Sequence, residues 1–421
     1  MDIVASYGPW FIGLAVIFCL YMTWGIGAND VANAMGTSVG SKAITVKQAL
    51  IIAAIFEVCG VIFAGGHVTE TIRKGIIDPT SVANNPEVLI FGMLASLLAA
   101  GTWLMFASSK GWPVSTSHSI VGALAGFAVV AIGFDAVHWG KIGLIAVSWV
   151  ISPLMGGVIA FFLTLSIMKL ILNTDKPFEN AKKWGPAYLF LVGFILGLVT
   201  LFKGLKNLHI DLSIALSILG SSILGLIVAL VGRVFINRIK IAPDADKKFL
   251  FASVEKVFIP LQIATACAMA FAHGSNDVAN GIGPLAAVYS IVVSGGQVLQ
   301  QSDLPMWILM LGGFGIVAGV VTMGYRVMLT IGKQITELTP IRGFSAELAA
   351  ATTVVIASRT GIPVSTTHIL VGSVMGVGFA RGIAALDLTV IAKIVMSWVV
   401  TLPVGGILSA LFYFTLKGMF T

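Results

Sequence analysis

Residues Gly111 to Gly122 read GWPVSTSHSIVG. One apolar arm, Val88–Lys110, runs into this stretch and another, Pro113–Gly133, runs out of it, so only Gly111-Trp112-Pro113 separates two membrane-like segments. Proline breaks a helix by removing an N–H and crowding the preceding turn, and the hydroxyls of Ser115, Thr116 and Ser117 suit the start of the next helix. Non-helical backbone at membrane depth is tolerated only where protein or a water-filled cavity surrounds it. The two arms are therefore expected to turn back on each other as a re-entrant hairpin with a buried tip.

The same pattern returns as GIPVSTTHILVG at Gly361–Gly372. Two further pieces recur in the same order: GANDVANAMG at Gly27–Gly36 with GSNDVANGIG at Gly274–Gly283, and Ser148-Trp149-Val150 with Ser397-Trp398-Val399. Asn276 follows Asn29 by 247 positions, Pro363 follows Pro113 by 250 and Trp398 follows Trp149 by 249, which identifies a duplicated unit. Each unit begins with a long apolar helix, Pro9 to about Gly40 in the first, where glycines predict an interruption at Gly25-Ile26-Gly27. A span over Val46–Gly66, the hairpin and a span over Gly140–Leu172 follow. The second unit has Phe249–Tyr289, Pro305–Ile331, a hairpin of Phe344–Thr360 with Pro363–Phe379, and Leu388–Leu416; Gly185–Leu205 and Leu212–Arg233 lie between the units without partners.

With the hairpins turning back, each unit crosses an odd number of times, and the two central spans leave that parity unchanged, so the second unit enters upside down. The expected fold is an all-α polytopic membrane protein with two inverted-topology repeats, broken helices and two re-entrant helical hairpins. Its expected divisions are repeat 1 over 1–172, two central scaffold spans over 173–240 and inverted repeat 2 over 241–421. Inverted repeats with interrupted helices are the architecture of many secondary transporters, which place their site near the bilayer midplane.

The composition agrees. Of 421 residues 57% are hydrophobic and 10% charged, with a mean hydropathy of +1.00, whereas a soluble domain carries about a quarter charged residues. The start of the chain is read as a retained helix, not a signal peptide. Cys19, Cys59 and Cys267 stand singly in apolar segments, as small fillers. A net charge of +7 reports topology before partners, and no soluble basic domain exists to hold nucleic acid. With both termini outside, 17 of the 25 Lys and Arg residues fall inside, against Arg73, Lys74, Lys141, Lys203, Lys206 and Lys417 outside; Lys110 and Arg359 sit at the hairpin tips. That bias predicts a multi-pass protein of the cell (inner) membrane with outward N- and C-termini.

Two groups of residues could carry chemistry. Asn29, Asp30 and Asn33, and their counterparts Asn276, Asp277 and Asn280, place carboxylate and amide oxygens in apolar segments; hard oxygen donors on an unwound turn suit Na⁺. The plainer alternative is a helix cap. Ser115, Thr116 and Ser117, and Ser365, Thr366 and Thr367, begin helical arms whose free N–H groups and dipoles suit an anion. Here the alternatives are a simple cap or Ser115–His118 nucleophilic chemistry, which lacks an evident orienting group and oxyanion hole. Glu57 and Glu347 are weaker candidates for cation coupling, Lys110 and Arg359 could add charge near the anion, and His67 and His273 read as structural.

The paired GxNDVAN and PVST(S/T)H motifs resemble those of the PiT family of inorganic phosphate transporters, over about Gly25–Gly157 and His273–Gly406. The resemblance implies cation-coupled phosphate symport by a non-enzymatic carrier needing no cofactor, with Na⁺ as coupling ion, the four motifs as the phosphate and cation sites, and a homodimer. The short loops around Lys176–Lys183 and Lys240–Lys248 are similar to prokaryotic members. Proton-coupled phosphate or sulfate symport and, from another class, an anion channel remain alternatives. Two aspartates and a divalent phosphate sum to −4, and two helix N-termini offset about +1. At an effective dielectric near 20, like charges 4 Å apart repel by about 4 kcal/mol per pair, so the anion is expected to enter only with cations. Phosphate carries P–OH donors for those carboxylates; sulfate at neutral pH does not, and a site of acceptors discriminates against it.

Overall fold

A computed structural model describes residues 3–66, 69, 72, 75–77, 82, 85–203, 212–240, 247–298, 304–334, 338–359, 363–382 and 387–420. His67, Arg73, Lys74, Lys206, Gly361 and Ile362 fall outside them. Twelve helices make up the described fold: α1 (Ile3–Gly40), α2 (Val46–Ala64), α3 (Pro86–Ser109), α4 (Thr116–Ala131), α5 (Trp139–Ile167), α6 (Pro177–Lys203), α7 (Ile214–Asn237), α8 (Lys247–Val293), α9 (Met306–Gln334), α10 (Pro340–Arg359), α11 (Thr366–Arg381) and α12 (Leu388–Phe420). Among the described residues nine stretches are long and apolar enough to cross a membrane.

The two arms α4 and α11 are not among the nine. Each has 16 residues, about 24 Å of helix against a hydrocarbon core of about 30 Å. Gly111 makes the turn between α3 and α4 at φ 70°, a left-handed conformation that favours glycine. Ser115 and Ser365 cap the second arms, each accepting from the backbone N–H of the histidine three residues on. The tips are buried, with Ser115, Thr116, Ser117, Ser365, Thr366 and Thr367 all at most 2% exposed. They also meet: Ser117 Oγ donates to the Val364 carbonyl at 2.9 Å, and Thr367 Oγ1 donates to the Val114 carbonyl at 3.2 Å.

The main contacts of one repeat recur in the other, although α8 also packs on the central helix α6 and α1 does not. Helix α1 packs on α9 while α8 packs on α2, and α4 packs on α12 while α11 packs on α5. Small residues make these approaches close, as expected where helices associate in lipid. A Cβ on Gly27 would stand 1.9 Å from the Ile316 carbonyl oxygen, and one on Gly319 would stand 2.0 Å from that of Trp24. In the mirrored seam, a Cβ on Gly274 would lie 2.2 Å from the Glu57 oxygen and one on Gly60 2.1 Å from that of Phe271. Helices α6 and α7 pack chiefly on each other, across Gly193, Gly197 and Gly225.

One expectation fails here. Helix α1 runs unbroken from Ile3 to Gly40 and α8 from Lys247 to Val293, so the interruption expected at Gly25-Ile26-Gly27 is absent. The glycines that suggested it serve interhelical contact instead: Gly27 touches α9 backbone and Gly25 faces Leu104. Helix backbone between Gly25 and Asn33 is therefore engaged in its own ladder and offers no unwound carbonyls to a cation.

The glycine seams generate a stability prediction. Gly27→Ala forces backbone apart and is expected to cost about 1–3 kcal/mol, read as a lowered unfolding midpoint of the purified protein in detergent. Gly13→Ala, whose Cβ meets nothing within 4 Å, is expected to leave the midpoint unchanged.

Candidate functional site

The continuous helices α1 and α8 carry the two Asn-Asp motifs to the place where the hairpin tips meet. Asn29 staples the first tip: its Nδ2 donates to the Trp112 carbonyl at 2.9 Å and to Ser108 Oγ at 3.1 Å, while its Oδ1 accepts from the Val114 N–H at 3.2 Å. Asn276 does the mirrored work, donating to the Val364 carbonyl at 3.3 Å and to Asp277 Oδ1 at 3.2 Å. One turn on, Asn33 Nδ2 donates to Asp30 Oδ1 at 3.3 Å and reaches Thr366 and Thr367 of the opposite repeat, at 3.2 and 2.8 Å. Asn280 donates to Asp277 Oδ1 at 3.2 Å and, at 3.4 Å each, to Thr116 and Ser117. Thr366 Oγ1 donates to Asp277 Oδ2 at 2.9 Å. Carboxylates and hydroxyls of both halves thus form one buried network.

His273, read from the sequence as structural, stands inside that network. Its Nε2 lies 3.2 Å from Asp277 Oδ2 and 3.8 Å from Asp30 Oδ2, and its Nδ1 lies 3.2 Å from Glu57 Oε1, with every one of these side chains fully buried. Asp30, His273 and Asp277 each bring a ligand atom within 4.8 Å of the others. A neutral imidazole has one donor and one acceptor nitrogen. With carboxylate oxygens facing both nitrogens, an extra proton, on the ring or on a carboxyl group, or another cation must relieve the acceptor side. The sequence signal for His273 was its place three residues before the second Asn-Asp pair. It was missed because the first copy has Ile26 there.

Several buried oxygens find no hydrogen-bond donor among the described residues: Asp30 Oδ2, Glu57 Oε2, Asn33 Oδ1 and Asn280 Oδ1. Burying such groups unpaired is costly, and hard oxygens of this kind are what an alkali cation takes in place of water. At the helix N-termini, Ser115 and Ser365 Oγ are held as caps and the Ser117 and Thr367 hydroxyls are held by the opposite tip. Of the first-turn N–H groups of α4 and α11, those of His118 and His368 go to the serine caps, and those of Thr116, Ser117, Thr366 and Thr367 have no acceptor within their own helices.

Glu347 forms a separate cluster. Thr37 and Ser38 donate to its Oε1, the latter at 2.6 Å, and Thr265 donates to Oε2 at 2.7 Å. The helix rise puts this about 10 Å along α1 from Asp30. Further along, Ser41 Oγ meets Gln262 Oε1 at 2.7 Å. These polar positions have no polar twins: at the repeat offset, Thr37, Ser38, Thr265 and Glu347 correspond to Pro284, Leu285, Phe18 and Leu97. Gly274 packs on Glu57 where Gly27 packs on Ile316, so the Glu57–His273 pair likewise replaces an apolar pair. The core site is two-fold; the polar track beside it runs along one end of α1 only.

The sequence profile of the phosphate transporter family matches residues 26–409. A Haemophilus influenzae protein with phosphate permease in its name is 49% identical over 423 residues, covering 100% of both chains. The Arabidopsis thaliana protein "Inorganic phosphate transporter 2-1, chloroplastic" is 42% identical over 94% of this chain and 70% of its own length. A solved structure titled "The sodium-dependent phosphate transporter" superposes with a TM-score of 0.89 at 40% identity, covering 97% of this chain and 99% of that one. With crossed hairpin tips, a shared carboxylate network and a match along nearly its whole length, this chain is a multi-pass membrane protein belonging to the phosphate transporter family.

Proposed function

We propose that the protein carries inorganic phosphate into the cell by symport with sodium ions, through alternating access. The observation that carries this reading is the meeting of two helix N-termini with a fully buried cluster of three carboxylates. The N-termini attract an anion, and the carboxylates repel it until cations neutralise them. Each solute raises the affinity of the other by the same factor. Phosphate sits between the tips, on the first-turn N–H groups and hydroxyls of Ser115, Thr116 and Ser117 and of Ser365, Thr366 and Thr367, with Asp30 and Asp277 accepting its P–OH protons. The crossed bonds of Ser117 and Thr367 to the opposite tip are the ones that anion would replace.

Sodium takes the free oxygens of Asp30, Asn33 and Asn280 together with Asp277. Asn29 and Asn276, bonded to the tips, transmit occupancy to the hairpins. Glu57, through His273, and Glu347, with its three hydroxyl donors, handle cations on the way through. The one-sided polar track from Glu347 to Gln262 is the route by which they leave. An imidazole among carboxylates also favours a second reading, in which a proton replaces one sodium ion.

In this reading the chain divides into repeat 1 (1–172), central scaffold spans (173–240) and inverted repeat 2 (241–421), lies in the cell (inner) membrane lipid bilayer with both termini outside, and works as a homodimer without a cofactor. The protein is a carrier and not an enzyme, so uptake needs a cation gradient, which an anion channel would not require.

Purified protein in liposomes is expected to accumulate labelled phosphate when a sodium gradient is imposed; accumulation driven by a pH gradient alone would establish the proton reading, and gradient-independent flux a channel. Asp30→Asn and Asp277→Asn are each expected to abolish sodium-driven uptake. Thr366→Val, which removes one hydroxyl bond to a carboxylate, is expected to weaken phosphate affinity about tenfold or more, measured as the half-saturating phosphate concentration. Glu347→Gln is expected to raise the sodium concentration needed for half-maximal uptake while leaving phosphate recognition intact.

A further inference from the structure

A cavity of about 580 Å³ lies where the turn of the first hairpin meets α12. Two lysines line it, Lys110 from the turn and Lys393 from α12, and no acidic residue does. Both are exposed, and among the described residues neither ammonium has an ion pair, a hydrogen bond or a ring contact. Asp387, the acid nearest to Lys393 in sequence, is engaged instead as the cap of α12, accepting from the Thr389 and Val390 N–H groups at 3.0 and 3.2 Å. Like charges that share a concavity repel each other unless an anion comes between them.

Lys393 stands at the edge of the hydrocarbon. It and Lys417 are 24 residues apart on α12 with no charged residue between them, about 36 Å of helix against a hydrocarbon core of about 30 Å. Toward that core the cavity wall is apolar and open, with Met396 63% and Val400 39% exposed. Trp103 and Trp112 also line it, and tryptophan favours the level between hydrocarbon and headgroups. Single lysines and tryptophans at that level are ordinary. Here two of each converge on one concavity, from the first hairpin and from α12. The duplicated unit does not require them: at the repeat offset Trp103, Lys110, Trp112 and Lys393 correspond to Thr353, Thr360, Ile362 and Leu144.

We propose that this cavity binds an anionic phospholipid of the surrounding bilayer, with the headgroup phosphate between Lys110 and Lys393 and an acyl chain over Met396 and Val400. Basic pockets between membrane helices suit such headgroups. Free inorganic phosphate would meet the lysines but gain nothing from the apolar wall. A zwitterionic lipid brings its own cation to a cavity that already holds two. An anionic lipid matches both ends. Trp112 ties the cavity to the centre of the molecule: it lines the cavity, and its carbonyl accepts from Asn29 Nδ2 at 2.9 Å. The lipid therefore rests against the turn that Asn29 holds.

The test uses the full-length protein in detergent with phosphatidylglycerol carrying a photoactivatable acyl chain, the labelled peptides being mapped by mass spectrometry. Labelling is expected on α12 around Met396 and Val400, reduced by unlabelled phosphatidylglycerol but not by phosphatidylcholine or inorganic phosphate. A lysine at the membrane surface is worth about fivefold in affinity for an anionic lipid, so Lys110→Gln and Lys393→Gln should each lower labelling there about fivefold at subsaturating probe. Lys393→Arg keeps the charge and should retain the labelling. Lys47→Gln, at an exposed lysine on α2 outside the cavity, should leave it unchanged. Displacement by inorganic phosphate would make the cavity a site for the free ion and overturn the proposal. Equal competition by phosphatidylcholine, undiminished labelling in both glutamine variants of the cavity, an equal fall in Lys47→Gln, or no labelling of α12 would overturn it too.

Discussion

Three carboxylates, Asp30, Asp277 and Glu57, surround one imidazole in an interior from which water is excluded. Charges held this way are tolerable only when something neutralises them, and much of the remaining structure answers that demand. The long helices α1 and α8 bring the aspartates together, the amides of Asn33 and Asn280 hold them, and hydroxyls from the opposite hairpins complete the network. A core of this kind is poor at being stable without a proton or cation among its carboxylates.

Two-fold inverted symmetry supplies the geometry for such a core. The reciprocal glycine contacts, Gly27 with Ile316 against Gly274 with Glu57, show the same seam built twice. Crossed bonds between the tips tie the two halves at one point, so neither hairpin can shift without altering a hydrogen bond to the other. Glycine in these seams buys close approach, which is why Gly25 and Gly27 sit in continuous helix where the sequence suggested a break.

The departures from symmetry are equally informative. The Glu57–His273 pair and the Thr37, Ser38, Thr265 and Glu347 cluster stand opposite apolar residues in the mirrored half. A two-fold polar core is thus combined with a polar track on one side only.

Local chemistry in the sequence was enough to establish the duplicated unit, the helix positions, the hairpins and the motif residues, because composition, proline and glycine placement and spacing act within a few residues. Pro113 and Ser115 announce a helix start wherever they occur, and Lys and Arg counts weigh whole loops. What Gly27 packs against, which hydroxyls Asn33 reaches and why His273 matters depend on residues hundreds of positions away. Ile26 and His273 occupy equivalent places in the repeat, and nothing local separates filler from functional group. Only the convergence of α2, α1 and α8 turns that histidine into the partner of three carboxylates, since a buried charge takes its meaning from the charges packed around it.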